Sequence, residues 1–195
     1  MRVLVIYESM YGNTHQIAEA IAEGMDLPED VAVLPVSEAT HTMLDQVDLI
    51  VVGGPTHAHG MSRERTRKAA VDAAKKPSKA LHLDPTAAGV GLRDWFDSLG
   101  TVHGMAAGFD TRNEAPAVFT GRAATGIAKM LRQHGMTLAA EPESFLVDKH
   151  NQLLPGELGR AFVWGENLAH TLTSLKSTTR PSPGSASPIR SVSHS

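Results

Sequence analysis

Two short apolar runs rich in β-branched residues constrain this chain more than any other feature of its sequence. Residues 2–7 read Arg-Val-Leu-Val-Ile-Tyr, and residues 48–54 read Asp-Leu-Ile-Val-Val-Gly-Gly. Near-continuous runs of this kind are typical of strands buried on both faces of a parallel sheet. The first run is followed by a turn and then by a segment at 13–24 whose apolar residues recur at helical spacing. This order predicts right-handed crossover units around a parallel sheet.

The same alternation continues through most of the chain. It predicts further strands at 31–36, 105–110 and within 137–147, and further helices at 62–76, 92–99, 120–134 and 155–172. The predicted fold is therefore one α/β domain over residues 1–173, with five strands and about as many helices. Trp95 and Phe96 share one helix face with two leucines, which predicts a place in the core; a lid over a ligand is the alternative.

The composition changes at residue 174. Residues 174–195 contain eight Ser, two Thr, three Pro and three basic residues, with no acidic residue. So few large apolar side chains cannot offset the entropy lost on ordering the segment. The sequence predicts a disordered, basic, Ser/Pro-rich tail over 174–195.

Composition and charge exclude several classes of function. The chain has no cysteine, which rules out disulfides, thiol catalysis and iron–sulfur clusters. Seven basic residues fall within 62–80, yet the net charge is −3, so the rest of the domain is acidic and unsuited to general nucleic-acid binding. No apolar run approaches the roughly 18 residues of a membrane span, and the N-terminus does not resemble a secretory signal. We expect a cytoplasmic protein with no nucleic-acid or membrane partner.

The first candidate site is the loop that follows the first predicted strand. A phosphate ester needs hydroxyl donors, a backbone that can bend toward it and free amides at a helix start. No Lys or Arg occurs between Glu8 and Glu23, so neutral dipoles would hold the anion; the Walker and GxGxxG patterns are absent. The alternative is an ordinary turn with a helix N-cap. The loop residues are Ser9, Met10, Tyr11, Gly12, Asn13 and Thr14.

The second candidate site follows the strand at 48–54. If the first and third strands are neighbours, both loops open onto one crevice at the carboxyl ends of the strands, where ligands bind in open α/β sheets. His57, His59 and Met61 could flank a flat ligand there. A metal site is the alternative, but no acid and no third ligand accompany the two histidines. The candidate residues are Pro55, Thr56, His57, Ala58, His59, Gly60 and Met61.

These two loops resemble those of the flavodoxin family. Residues 9–14 look like the family's Ser/Thr-x-Thr-Gly-x-Thr phosphate loop, with Tyr11 at the middle position, and Gly54-Pro55-Thr56-His57 resembles its second flavin loop. The resemblance implies a flavodoxin-like three-layer sandwich with a five-stranded parallel sheet of order 2-1-3-4-5. It also implies bound FMN, with its phosphate on residues 9–14 and its ring against residues 55–61. A third contact is implied from the loop after the fourth strand, at Asp110, Thr111 and Arg112.

The resemblance also frames two expectations about the ring site. Flavodoxins stack an aromatic side chain on the flavin, but neither ring loop here contains Tyr or Trp, and only Phe119, His57, His59 and Met61 are near in sequence. Gly60 is the expected site of a peptide whose carbonyl turns toward the flavin N5, because glycine accepts conformations that other residues resist.

The leading functional prediction is an electron-transfer flavoprotein that accepts electrons from a reductase and passes them to a redox partner protein. Four basic residues, Arg63, Arg65, Arg67 and Lys68, crowd the start of a predicted helix, where cations oppose the helix dipole. They support an alternative, an NAD(P)H-dependent FMN quinone or flavin reductase. A flavin-free interaction module is a further alternative. A receiver domain would need acidic residues after the first strand and an Asp ending the third, where Gly53 and Gly54 stand.

Overall fold

A computed structural model describes residues 1–27, 30–75 and 81–179, which form a sheet between two layers of helices. The strands are β1 (Val3–Tyr7), β2 (Val31–Pro35), β3 (Leu49–His57), β4 (Gly60–Met61), β5 (Met105–Asn113), β6 (Thr137–Leu138) and β7 (Glu143–Val147). The helices are α1 (Asn13–Gly24), α2 (His41–Leu44), α3 (Glu64–Ala74), α4 (Leu92–Ser98), α5 (Ala117–Thr120), α6 (Ala123–Gln133) and α7 (Glu157–Thr179).

The central strands follow the order β2-β1-β3-β5, and all of these neighbours are parallel. Both β6 and β7 lie parallel to the outer side of β5, and β4 is a short antiparallel partner at the end of β3. If β6 and β7 are counted as one interrupted strand, the order is the predicted 2-1-3-4-5. The predicted three-layer α/β fold is therefore confirmed.

Two hydrophobic clusters cover the faces of the sheet because successive strand side chains point to opposite sides. Val3 and Val5 of β1 pack into the cluster that contains α1 and α7. Leu4 and Ile6 pack into the cluster that contains α4 and α6. All four side chains are buried, which explains why β1 has a nearly continuous apolar sequence.

The fifth strand of the sheet is split into two segments. β6 pairs with Met105 and Ala106, whereas β7 pairs with residues 109–113 of β5. Between them lies Pro142, which has no amide to donate to a neighbouring strand. The pairing of β7 sets Val147 opposite Asn113, so the chain leaves the sheet beside the ends of the central strands.

Several predicted boundaries are wrong. β3 continues to His57 and β5 to Asn113, so residues 55–57 and 110–113, expected in loops, extend the sheet. The last helix runs to Thr179, so residues 174–179 are helical rather than part of a disordered tail. Once a helix has formed, each further residue adds a hydrogen bond at little cost, which carries α7 past its last buried leucine. Residues 180–195 lie outside the described residues, and their disorder stays a prediction.

Trp95 and Phe96 are core residues, as predicted, with exposed fractions of 4% and 0%. The indole nitrogen of Trp95 donates a hydrogen bond to the carbonyl of Ala39 at 2.9 Å, which satisfies its one polar group. The helix is therefore fixed in the α4–α6 layer and is not a lid. In the described part of the chain, every helix is too short or too polar to cross a membrane.

Candidate functional site

A pocket of about 240 Å³ opens at the carboxyl ends of the central strands. Four chain segments form its walls: the loop after β1, the end of β3, the end of β5 and the turn after β7. This is the edge at which open α/β sheets bind ligands. The lining residues are Met10, Tyr11, Asn13, Thr14, Pro55, Thr56, His57, Thr111, Arg112, Asn113, Val147, Asp148, Lys149 and Asn151.

The first wall is a tight turn shaped by Gly12. This residue has a φ of +87°, a left-handed conformation that glycine adopts without strain, and it is the N-cap of α1. Its amide donates a hydrogen bond to Ser9 Oγ at 3.0 Å. Ser9 is buried and does not line the pocket, so its hydroxyl oxygen shapes the turn. Because the N-cap has no side chain, it leaves the first amides of α1 uncapped and directed toward the pocket end of the helix.

Asn13 and Thr14 tie this wall to the others. The side-chain amide of Asn13 donates to the carbonyl of Asn151 at 2.9 Å, and the hydroxyls of Thr14 and Thr111 are hydrogen-bonded at 2.7 Å. The start of α1 is therefore held at once by the turn after β7 and by the end of β5. These bonds join three of the four walls of the pocket.

The second wall is the end of β3, which turns back as a hairpin with β4. Ala58 and His59 form the tip, with φ values of +46° and +74°. His59 pairs with the backbone of Gly121, whose own φ is +75°, and a Cβ on Gly121 would overlap the backbone of His59. The tip of the hairpin therefore contacts the segment that precedes α6. Neither Ala58 nor His59 lines the pocket.

Only the first part of the predicted ring loop lines the pocket, namely Pro55, Thr56 and His57. Gly60 pairs with His57 inside the hairpin, and Met61 is buried in the core cluster of α4 and α6. The positive φ values fall at Ala58 and His59 rather than at Gly60. The expected turn of a Gly60 carbonyl toward the flavin N5 stays a prediction.

The third wall depends on a buried carboxylate. Asp110 is fully buried and does not line the pocket; it accepts hydrogen bonds from the Thr56 hydroxyl at 2.9 Å and the Ala124 amide at 2.8 Å. The Thr56 oxygen in turn accepts from the amide of Ala123 at 2.8 Å. Burial raises the pKa of Asp110, and these hydrogen bonds oppose that shift. Asp110 therefore positions Thr56 and the start of α6.

Arg112 holds the segment between β5 and α5. Its Nη1 donates to the carbonyl of Ala115 at 2.8 Å and to that of Asn113 at 3.1 Å. Its Nε is buried and has no hydrogen-bond partner among the described residues. Arg112 and Thr111 line the pocket, as does Asn113.

The fourth wall, residues 147–151, was not predicted as part of the site. Asp148 Oδ1 accepts hydrogen bonds from the amides of His150 and Gln152, both at 2.8 Å, and closes a turn in which Asn151 has a φ of +61°. The bond from Gln152 is the main cause that lowers the pKa of Asp148. The sequence does contain a signal for this wall: the polar, turn-forming residues 148–151 follow the last strand of the sheet, at the edge where the other loops meet.

Two flat side chains line the pocket, Tyr11 and His57. The Tyr11 hydroxyl donates to the carbonyl of Ala70 at 2.9 Å, and burial raises the pKa of this phenol. Phe119, named from the sequence as a possible stacking residue, is 72% exposed on α5 and is not part of the lining. An aromatic residue thus reaches the pocket from the loop after β1 as well as from the end of β3.

The charges that line the pocket are Arg112, Asp148 and Lys149. Burial, and next the nearby charge of Arg67, lower the pKa of His57, so its imidazole is neutral at pH 7. The pocket therefore combines two cations with one carboxylate that is already bonded to the amides of its own turn. Such a site favours an anionic ligand.

The basic segment before and within α3 is partly neutralised. Arg67 is buried, and its guanidinium donates to Asp94 at 2.7 Å, whereas Arg63, Arg65 and Lys68 are exposed. Lys76 and Lys79 of the basic segment 62–80 lie outside the described residues. Across residues 1–27, 30–75 and 81–179, no three His, Asp or Glu side chains come together as metal ligands.

A sequence model of the Flavodoxin domain matches residues 4–73, which include the first wall and the end of β3. No curated protein matches the chain. Solved structures do. A flavodoxin from the domain Archaea is 21% identical, with a TM-score of 0.59, over 89% of this chain and 99% of that chain.

Two further structures show the same likeness. Oxidised flavodoxin 1 from Bacillus cereus is 18% identical, with a TM-score of 0.60, over 87% of this chain and 98% of its own. A flavodoxin, WrbA-like protein from Agrobacterium tumefaciens is 22% identical, with a TM-score of 0.55, over 89% and 98%. At these identities the likeness establishes the fold, and it extends over nearly the whole length of each relative.

Proposed function

We propose that this chain, which has the flavodoxin fold and is flavodoxin-like in the sequence of residues 4–73, binds FMN without a covalent bond and transfers electrons. The observation that carries the proposal is the pocket at the ends of β1, β3 and β5. There, uncapped amides at the start of α1 lie beside two flat side chains, Tyr11 and His57. A phosphate suits the first feature and a planar ring suits the second.

The residues present fit a mononucleotide. Asn13, Thr14 and Thr56 line the pocket with polar groups, and Arg112 contributes a buried Nε without a partner among the described residues. The redox chemistry would be supplied by the bound FMN, and the protein supplies its binding, orientation and electrostatic environment. In this assignment Tyr11 and His57 contact the ring, and the first wall holds the phosphate.

The pocket is small for a ligand site. Ligand pockets commonly enclose roughly 300–1,000 Å³, and this one is smaller, at about 240 Å³. Part of a mononucleotide would therefore remain outside the pocket, within reach of another protein. Arg63, Arg65 and Lys68 are exposed and follow the hairpin directly along the chain, so we propose a redox partner with an acidic docking face.

Direct reduction by NAD(P)H is the second candidate function. The exposed residues Arg63, Arg65 and Lys68 could hold the phosphates of a nicotinamide cofactor. Arg67 gives this candidate less support, because its charge is already matched by Asp94. Steady oxidation of NAD(P)H by the FMN-loaded protein alone would support the reductase and contradict the carrier.

Titration of the purified protein with FMN, followed by the loss of flavin fluorescence, tests the proposal. We expect saturable binding that His57→Asn weakens about fivefold, because contact between flat rings is worth about 1 kcal/mol. His59→Asn is the matched control, since His59 lies at the hairpin tip outside the pocket lining and Asn tolerates its positive φ. We expect this control to change the affinity less than twofold. Absence of binding at saturating FMN would refute the function.

A further inference from the structure

We infer that Lys149, in the turn after β7, binds the phosphate of the ligand. The inference rests on the proposed function and adds a cationic residue from a wall other than the loop after β1. The loop presents an anion with amides and hydroxyls only, because no Lys or Arg occurs between Glu8 and Glu23. A phosphate monoester carries about −1.5 to −2 charges at pH 7. The loop itself supplies no counter-ion for this charge, so a cation that pairs with the phosphate has to come from another wall of the pocket, where Arg112 and Lys149 lie.

The fold brings Lys149 to the phosphate end of the pocket. Lys149 lines the pocket, and Asn151, two residues further along the same turn, accepts a hydrogen bond from the side chain of Asn13 at 2.9 Å. Asn13 is the first residue of α1, whose uncapped amides face this end of the pocket. The turn is thus fastened to the helix start that would receive the phosphate.

The other two charged side chains of the lining are fastened to their own segments, although Arg112 keeps its charge and an Nε without a partner among the described residues. Asp148 Oδ1 accepts two amide hydrogen bonds within the turn, and Nη1 of Arg112 donates to carbonyls of the segment after β5. No ion pair within 4 Å joins Lys149 to an acidic group of the described residues. Its ammonium group is exposed and on a flexible stem, so it can follow the phosphate.

A charge at this place would let the pocket distinguish FMN from riboflavin, which has the same ring but no phosphate. The experiment measures the dissociation constants of FMN and of riboflavin for the full chain and its variants. We expect Lys149→Gln to weaken FMN binding about fivefold to tenfold, in keeping with a hydrogen bond to a charged group at a partly exposed site. Riboflavin binding should change less than twofold.

Three further measurements sharpen the test. Lys149→Arg should restore most of the FMN affinity, because it keeps the charge. Lys129→Gln, which removes an exposed lysine of α6 outside the pocket lining, should change neither constant. Added salt should weaken FMN binding by the native chain more than by the Lys149→Gln variant.

The outcomes separate this inference from the function. Equal weakening of FMN and riboflavin in Lys149→Gln would mean that Lys149 only supports the turn, and an unchanged FMN constant would mean that it does not bind phosphate. Either result overturns the inference while leaving FMN binding in place. Failure of the native chain to bind FMN at all would overturn both.

Discussion

The loop after β1 and the hairpin after β3 enclose the same pocket, but different kinds of contact hold them in place. The turn of the loop is set locally: Gly12 bends the backbone, and its amide bonds to Ser9 only three residues away. The long-range bonds of this wall are made by the residues that flank Gly12, namely Tyr11, Asn13 and Thr14. The hairpin is held by residues far away in the sequence: Thr56 bonds to Asp110, and the backbone of His59 pairs with that of Gly121.

This difference indicates where each wall is vulnerable. The loop has a local conformation that its own sequence specifies, so a single substitution there removes one hydrogen bond or one favourable φ. The hairpin carries two non-glycine residues at positive φ, which cost free energy unless surrounding contacts compensate. Loss of one of these long-range contacts should therefore change the conformation of the whole hairpin and alter the second wall of the pocket.

The largest effect is expected from Gly121→Ala, which disrupts the contact between Gly121 and the tip of the hairpin at His59. The substitution combines a positive φ with overlap between the new Cβ and the backbone of His59, so we expect the free energy of unfolding to fall by about 3–5 kcal/mol. Gly156→Ala is the matched control, because Gly156 also has a positive φ, of +90°, but no atom lies near its added Cβ. This variant should lower the free energy of unfolding, measured in urea, by only about 1–2 kcal/mol. Equal losses in the two variants would show that the hairpin does not depend on its contact with Gly121.

The next largest effect is expected from Thr56→Val, which removes the hydroxyl between Asp110 and the start of α6. The Asp110 carboxylate loses a donor and the Ala123 amide loses its acceptor, so we expect a loss of about 2 kcal/mol in the free energy of unfolding. Thr56→Ser keeps the hydroxyl and should lose less than half as much. A Val variant as stable as the Ser variant would contradict the role assigned to this bond.

The same contrast between local and distant contacts explains how much could be predicted. The loop and the start of α1 at Asn13 were predicted because Gly12 and the apolar spacing of the helix are local signals. The order of the central strands followed from the resemblance. The positive φ values of Ala58 and His59 have no such signal, since alanine rarely adopts that conformation and histidine does so only in a small minority of cases.

The fourth wall shows a different limit. Its contact with the first wall joins Asn13 to Asn151, which are 138 positions apart, and no local pattern reports such a bond. The predicted fifth strand was also placed only within 137–147, because its break between β6 and β7 blurs the alternation of apolar residues. Because the strand was placed only within this window, the turn sequence that follows Val147 was not used to assign Asp148 and Lys149 to the carboxyl edge of the sheet.

A smaller effect is expected from Gly12→Ala in the locally stabilised loop. The nearest atom to an added Cβ is the end of the flexible Gln16 side chain at 3.8 Å, so only the positive φ of +87° opposes the substitution. We expect a loss of about 1 kcal/mol in the free energy of unfolding and a weaker affinity for FMN, with riboflavin affected less. A loss as large as that of Gly121→Ala would mean that the two walls are not held differently.

The smallest effect is a dependence of stability on pH, which we expect from the wall at the end of β3 and not from the loop after β1. Because burial, together with Arg67, lowers the pKa of His57 from its ordinary value of 6.5, the folded protein favours the neutral imidazole. This preference contributes stability above pH 6.5 that is lost as the pH falls from 6.5 through the lower pKa of the folded state. Urea unfolding at a series of pH values should show this loss in the native chain and not in His57→Gln, whereas Gly12→Ala should retain it. An identical pH dependence in the native chain and in His57→Gln would show that the protonation of His57 is not coupled to folding, and that the wall at the end of β3 has no pH sensitivity of its own.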